Sequence, residues 1–341
     1  MVSSIIMRNL KHSIVISQTP YRLNLAGATD LVPYAKRFGG HALSGAINKH
    51  VTIVIRKRQD KKIVFHYALG MEEATKLEDV VHPYVRAALK YSGIKNGIDI
   101  ASFTDIPFSS GLGSSGAFTV GLINAIKALL GYKTSARKLA EAAAHLEINV
   151  LKSPIGKHDQ YLAAFGGICD LLFLRNGKVV VKKIRFSPAK QKELENHLLL
   201  VYSGMTRSAS KVLSPISKRL QILYPETVNG MHAFKNIGTS MKILLAKEDF
   251  IGFGNRVNDL WEIEKKTFNN SNERIDDLIA KGKALGALSG MVVGAGRGGF
   301  IYFFCPDIKT KKKIALSLSK IGASEYPFRF IHEGSKIIFT I

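Results

Sequence analysis

Apolar and polar residues alternate in "HSIVIS" (12–17), "VTIVIRKR" (51–58) and "KIVFHY" (62–67), the period of half-buried strands. The spacing turns helical in "DVVHPYVRAALKYSG" (79–93), which stops at Gly93, and returns to strand in "GIDIASFTDI" (97–106). A helix is predicted from about Ser114 to Leu130 and another over 135–152, with Ser135 as N-cap and Pro154 just past its end. "ICDLLFLRNG" and "KVVVKKIRF" predict a hairpin about Asn176–Gly177. The polar, proline-bearing "SPAKQKELENH" (187–197) is the expected joint between two domains. Beyond it come a strand in "LLLVYSG", several helices between Arg207 and Leu285, a strand near "GFIYFFC", a basic helix over 307–320, and strands in "PFRFIH" and "KIIFTI". Strand-rich stretches precede helix-rich ones in both halves, which gives an α+β fold class with two domains, 13–190 and 191–341, after an extension at 1–12.

Composition narrows the setting. With 341 residues, 46% of them hydrophobic, the chain can bury a sizeable core. No apolar run has membrane-spanning length, and "MVSSIIMRNLKHS" is too short and interrupted for a secretory signal; Met7 is a second candidate start. Cys169 and Cys305 lie far apart with no C-x-x-C, against a disulfide framework or zinc knuckle. A cytoplasmic protein with no membrane partner is expected. The formal charge of +23 draws anions such as nucleic acid, acidic lipid or phosphorylated small molecules, although a generally Lys-rich surface explains it equally well. No zinc finger, RNP signature or basic-zipper pattern accompanies the charge, so no nucleic-acid partner is expected.

The chemistry concentrates in "TDIPFSSGLGSSGAFTVGLINAI" (104–126), where Gly111, Gly113 and Gly116 have G-x-G-x-x-G spacing. A dinucleotide fingerprint needs a strand running into the first glycine and an acidic residue about 20 positions on. Here Pro107–Ser110 intervene, and the later window "GYKTSA" has no carboxylate. H-R-D and D-F-G are missing for a protein kinase, and G-K-[ST] for a P-loop. What remains is a loop whose glycines admit an anion to backbone N–H groups at a helix start, with Ser114 and Ser115 offering hydroxyls to phosphate or Mg²⁺. A plain strand-to-helix turn with a serine cap fits the local residues as well.

Neighbouring motifs break that tie. "PFSSGLGSSGAF" (107–118), "TPYRLNLAGATDLVPY" (19–34) and "VVGAGRGGFIYFF" (292–304) resemble, in order, the phosphate loop, the N-terminal sugar motif and the C-terminal glycine motif of the galactokinase–homoserine kinase–mevalonate kinase–phosphomevalonate kinase (GHMP) superfamily. "HLEINVLKSPIGKHDQYLAAFGG" and "LLVYSGMTRSAS" are similar to its D-glycero-D-manno-heptose 7-phosphate kinase branch. The resemblance implies a ribosomal-protein-S5-like N-terminal domain and a ferredoxin-like C-terminal domain with the active site between them. It implies ATP and Mg²⁺ as cofactors and transfer to a sugar or sugar phosphate, most specifically the C1 hydroxyl of the heptose 7-phosphate.

By resemblance, Gly111, Leu112, Gly113, Ser114, Ser115 and Gly116 cradle the ATP phosphates. Ser115 and Glu147 hold the metal, Asp159 takes or orients the hydroxyl proton, and Arg22 favours the developing charge. Asp30 and Thr29, of the sugar motif, with Lys157, Arg207 and Gly296, are the expected substrate contacts, Arg207 gripping a substrate phosphate. On residue type alone, Asp159 fits a helix cap, Glu147 an exposed helix charge, Lys157 a surface lysine and Arg22 a salt-bridge partner. His145 and His158 read as structural or surface residues. The sequence departs from the branch at Arg297, where glycine is usual, and in "LAGATDL", one residue shorter than "AGGGTDL". A kinase for free fucose or galactose is the runner-up, and a non-catalytic ATP/sugar sensor the rival of another class; a homodimer is compatible with either.

Overall fold

In the computed structural model, residues 11–341 are described; the extension's first ten residues, with Met7, lie outside them. Strand β1 (Ile14–Gly27) follows its alternating pattern only as far as Gln18; from Thr19 onward both faces are buried. The reason is cover on two sides. Helix α3 (Ser114–Leu129) and helix α8 (Pro225–Ala246) both pack against β1 and against β2 (Gly40–Lys57).

An eight-stranded sheet forms around β2. Its second half pairs with β5 (Ile98–Thr104), and its first half, Gly40–Gly45, with β6 (Ile168–Phe173). Beyond β5 lie β3 (Ile63–Tyr67), the parallel neighbour, and β4 (Gly70–Ala74); β7 (Val179–Ile184) completes the expected hairpin with β6. The register of β1 on β2 shifts between Pro20 and Tyr21 and again between Asn24 and Ala26. Such irregularities re-aim side chains, and Arg22 lies between these two. On the helical side are α1 (Val32–Phe38), α2 (Pro83–Ser92), α4 (Ala136–Ala144) running into a wider π-helical turn at His145–Val150, and α5 (His158–Phe165).

Residues 187–197 are not an irregular joint. They form helix α6 (Pro188–His197), with Ser187 accepting from the Lys190 N–H and Leu194 and Glu195 buried. The polar composition reflects one exposed face of a capped helix. It leads directly into β8 (Leu198–Tyr202), then α7 (Ala209–Gln221), α8, α9 (Phe250–Phe268) and α10 (Glu273–Ala284). Strands β9 (Ser289–Val292) and β10 (Phe300–Phe304), helix α11 (Ile308–Ser319) and β11 (Ser324–Glu325) follow, giving a four-stranded antiparallel sheet in the order β11-β8-β10-β9.

Two expectations for the C-terminal end change. "PFRFIH" makes one isolated bridge, Phe330 to Ile47, rather than a strand; its alternating phenylalanines pack against the first sheet instead. The last strand, β12 (Lys336–Thr340), pairs antiparallel with β1, so it belongs to the first sheet rather than to the second domain. The two sheets also share one continuous core. Tyr302 of β10 donates to the Leu25 carbonyl of β1 at 2.9 Å.

Candidate active site

The glycine loop enters α3 through Gly113, whose φ of +78° is left-handed and costly for a residue with a side chain. No side chain caps this helix, so a serine N-cap is not what the loop provides. The Ser114 hydroxyl is instead buried without a partner. Gly116 sits where a Cβ would come within 2.7 Å of the Asp159 Cβ, so the glycine lets α3 and α5 meet at that carboxylate. Leu112 contributes differently: its side chain is core, and its carbonyl accepts from the Arg22 N–H.

Arg22 and Asp159 form the centre. Arg22 Nε donates to Asp159 Oδ1 at 2.9 Å and Nη1 to the Gly111 carbonyl at 2.5 Å, from a side chain only 7% exposed. Burial pushes the Asp159 carboxyl up, but the charge and hydrogen bond of Arg22, with the charge of Arg207, outweigh it and the net shift is down, so the group is ionised. Asp159 is the second residue of α5 and does not cap it; the cap position is Lys157, again without a side-chain bond. His158 is buried beside it, sharing a 2.6 Å hydrogen bond with Ser44, and burial takes it down to about 3, a neutral structural residue. His145 is exposed.

Glu147 is fully buried in the π-helical turn. Gln160 Nε2 donates to its Oε1 at 2.8 Å, while Oε2 and Gln160 Oε1 have no partner. Burial lifts this carboxyl to about 7, against the hydrogen bonds of Gln160 and Ser115. A cation near Oε2 would favour the ionised form. No group of three or more His, Cys, Asp or Glu able to hold a metal occurs among the described residues. A carboxylate and serine hydroxyls are oxygen ligands of the kind Mg²⁺ takes, and the orphaned oxygens of Ser114 and Glu147 fit it.

Two hollows meet at this centre. The larger, about 320 Å³, is lined by Gly111, Gly113, Ser114, Ser115 and Arg207, with an aromatic wall of Phe65, Tyr67, His82, Tyr84 and Phe118. Phe65 and Tyr67 stack at 4.8 Å, and Phe118 stands 5.5 Å from His82. Sequence reasoning missed this wall, because the residues come from β3, the start of α2 and α3; the alternation that puts Phe65 and Tyr67 on one face of β3 is its trace in the sequence. The smaller hollow, about 110 Å³, is lined by Asn24, Asp30, Glu264 and Asn270 over an apolar floor that includes Met231, Phe234 and Phe268. Arg22, Asp159, Gly294 and Ala295 line both.

The remaining expected contacts divide. Asp30 is in the smaller hollow, accepting from the His158 N–H at 2.8 Å, and burial lifts its carboxyl to about 6. Thr29 is not in the hollow: fully buried, its hydroxyl binds the His41 backbone. Lys157 turns away to bind Glu141 at 2.8 Å and the Gly177 carbonyl at 2.9 Å, so it neither faces Asp159 nor is free for phosphate. The attraction of the nearer carboxylate decides its direction.

Arg207 lies in the larger hollow rather than the smaller. Its Nε donates to the Gly296 carbonyl at 2.6 Å, and its buried Nη2 has no partner. Gly296 thus holds Arg207 and packs against the Asn270 carbonyl without lining either hollow. Arg297 has a φ of +60°, which explains the glycine usual at that place; its side chain is directed to the Asn269 carbonyl and solvent, not to the cleft.

Residues 79–167 match the family described as GHMP kinases N terminal domain and 241–324 match GHMP kinases C terminal, together about half of the chain. The chain is 29% identical over 336 residues to a D-glycero-alpha-D-manno-heptose 7-phosphate kinase of Campylobacter jejuni, covering 94% of this chain and 97% of that one. It is 27% identical over 283 residues to a mevalonate kinase of Pyrococcus horikoshii, 82% and 79% covered. Among solved structures, a D-glycero-D-manno-heptose 1-phosphate kinase from Bacteroides thetaiotaomicron superposes with a TM-score of 0.79 at 25% identity, covering 95% and 99%. A putative sugar kinase of C. jejuni gives 0.77 at 26%, covering 97% and 99%.

Proposed function

This chain belongs to the GHMP kinases, a phosphotransferase with an alcohol group as acceptor, and we propose that it phosphorylates the C1 hydroxyl of D-glycero-D-manno-heptose 7-phosphate in the cytoplasm with ATP and Mg²⁺. The observation that carries the reading is the Arg22–Asp159 pair on the shared wall of two unlike hollows. The larger suits the donor: glycine-loop N–H groups and a helix start for phosphates, an aromatic wall for the base. The smaller suits a polyhydroxylated acceptor.

A bound Mg²⁺, held by Ser115 and Glu147, would neutralise charge on the donor phosphates. The protein's own part is positioning. Asp159, ionised and fixed by Arg22, accepts the proton of the acceptor hydroxyl as its oxygen bonds to the γ-phosphorus and the bond to the departing ADP oxygen breaks. Because its carboxyl is held low, it is a weak base, suited to a transition state in which the proton leaves late. Arg22 offsets charge at the same point. Arg207 is assigned to the donor phosphates, in place of a substrate phosphate.

One observation favours a second reading, a kinase for a free sugar such as galactose or fucose. Arg22 is the only Lys or Arg among the described residues lining the smaller hollow, and it is committed to Asp159 and Gly111. An ATP-consumption screen over heptose 7-phosphate, hexose phosphates and free sugars, with the phosphorylated carbon identified, separates the two. Turnover of none of them, with Asp159→Asn still binding ligands, would leave a non-catalytic sensor.

A further inference from the structure

Glu264 occupies an unusual place in α9. Val257, Leu260 and Trp261 form the buried face of that helix, and Glu264 continues the same face with 5% exposure. A leucine would serve packing better, since a buried carboxylate is costly without partners. Its only bond uses half of its capacity: Asn270 Nδ2 donates to Oε1 at 2.8 Å. Glu264 Oε2 and Asn270 Oδ1 are both buried with no partner, and both residues line the smaller hollow with Asp30 and Asn24. Each such atom destabilises the fold unless something satisfies it.

We propose that Glu264 and Asn270 are specificity-determining residues that bind neighbouring hydroxyls of the acceptor, at a part of the sugar that carries no charge. The inference rests on the smaller hollow being the acceptor site. Two orphaned oxygens, on residues 5% and 1% exposed, call for donors, and adjacent hydroxyls supply them. Burial holds the Glu264 carboxyl well above the ordinary carboxylate range, so its protonated form both accepts from one hydroxyl and donates to another oxygen. A phosphate is not called for, as no Lys or Arg besides Arg22 lines the hollow among the described residues. Met231, Phe234 and Phe268 offer an apolar floor to the sugar's C–H face. The pair is also tied to the second glycine loop: the Asn270 carbonyl accepts from the Arg297 N–H at 2.5 Å, and that loop carries Gly294 and Ala295 to both hollows.

The test compares wild type, Glu264→Leu, Glu264→Gln and Asn270→Ala on whichever of heptose 7-phosphate, D-galactose and L-fucose gives the highest kcat/KM, and on its monodeoxy analogues. Glu264→Leu and Asn270→Ala should raise the acceptor KM about tenfold or more with the KM for ATP within about twofold, and Glu264→Gln should lie between. One deoxy analogue should lose about tenfold or more with wild type and nothing further with the variants. If Glu264→Leu does not fold, Asn270→Ala and Glu264→Gln carry the same comparison. Equal effects on both KM values, no effect on either, or the same deoxy penalty in wild type and variants would overturn this inference alone. No turnover of any of the three sugars would overturn the proposed function, and this inference with it.

Discussion

Asp159 shows how one carboxylate is prepared by its surroundings. Arg22 keeps it ionised and pins one oxygen, leaving a side chain 28% exposed to the two hollows. Asp159→Asn keeps the shape but cannot take a proton, so kcat should fall about a hundred- to ten-thousandfold with little change in either KM; steady-state kinetics measure it. Asp30 behaves oppositely. Its carboxyl rises from 3.8 to about 6, so below about pH 4 it is protonated folded and unfolded alike and costs nothing. Between pH 4 and 6 only the unfolded chain ionises it, and stability falls; above 6 the cost is constant at about 3 kcal/mol. Asp30→Asn should therefore gain thermal stability relative to wild type as pH rises from 4 to about 6.5, with no further gain above; melting curves across pH check the sign. These residues were legible by motif, whereas Lys157 and Thr29 were not, because a motif names a position and the nearest partner decides where the side chain goes. Lys157 found Glu141, sixteen residues earlier in sequence, and Thr29 found the His41 backbone.

At the scale of elements, the site is made by close approaches. Gly116→Ala would put a methyl 2.7 Å from the Asp159 Cβ and 3.1 Å from its backbone carbon, neither at the end of a flexible side chain. Helices α3 and α5 would have to part, at about 1–3 kcal/mol, and calorimetry should show that loss together with a fall in kcat. The glycine loops of the two sheets meet likewise: the Phe300 N–H donates to the Ser110 carbonyl, and the Arg207 guanidinium lies against both Gly111 and Gly294. Arg207→Ala should raise the KM for ATP more than that for the acceptor; the reverse order would return Arg207 to the substrate phosphate. The period of strands and helices was readable because each has one dominant face. The aromatic wall was not, since it is assembled from separate elements and no single window contains it; Glu264 and Asn270 lie six residues apart, but the hollow that their unpartnered oxygens border is completed by other elements. Residues 187–197 misled for a related reason: a short helix with one buried turn has the composition of a linker.

For the whole molecule, the described residues contain no helix long and apolar enough to cross a membrane. The net charge of +23 raises the local concentration of anionic ligands. Strand β12 closes the β1 edge of the first sheet. Pairs run from Val15–Thr340 to Gln18–Lys336, and the backbone hydrogen bonds of such a ladder contribute about 0.5–1.5 kcal/mol each. Deleting 336–341 should lower stability by more than about 2 kcal/mol, with the loss seen by hydrogen exchange in β1 rather than in the four-stranded sheet. A consequence concerns synthesis. On a ribosome most of the first sheet emerges well before its edge strand β12, since more than three hundred residues separate Val15 from Thr340. The growing chain therefore carries an open β1 edge until β12 emerges, and the strongly basic sequence keeps nascent copies apart by charge.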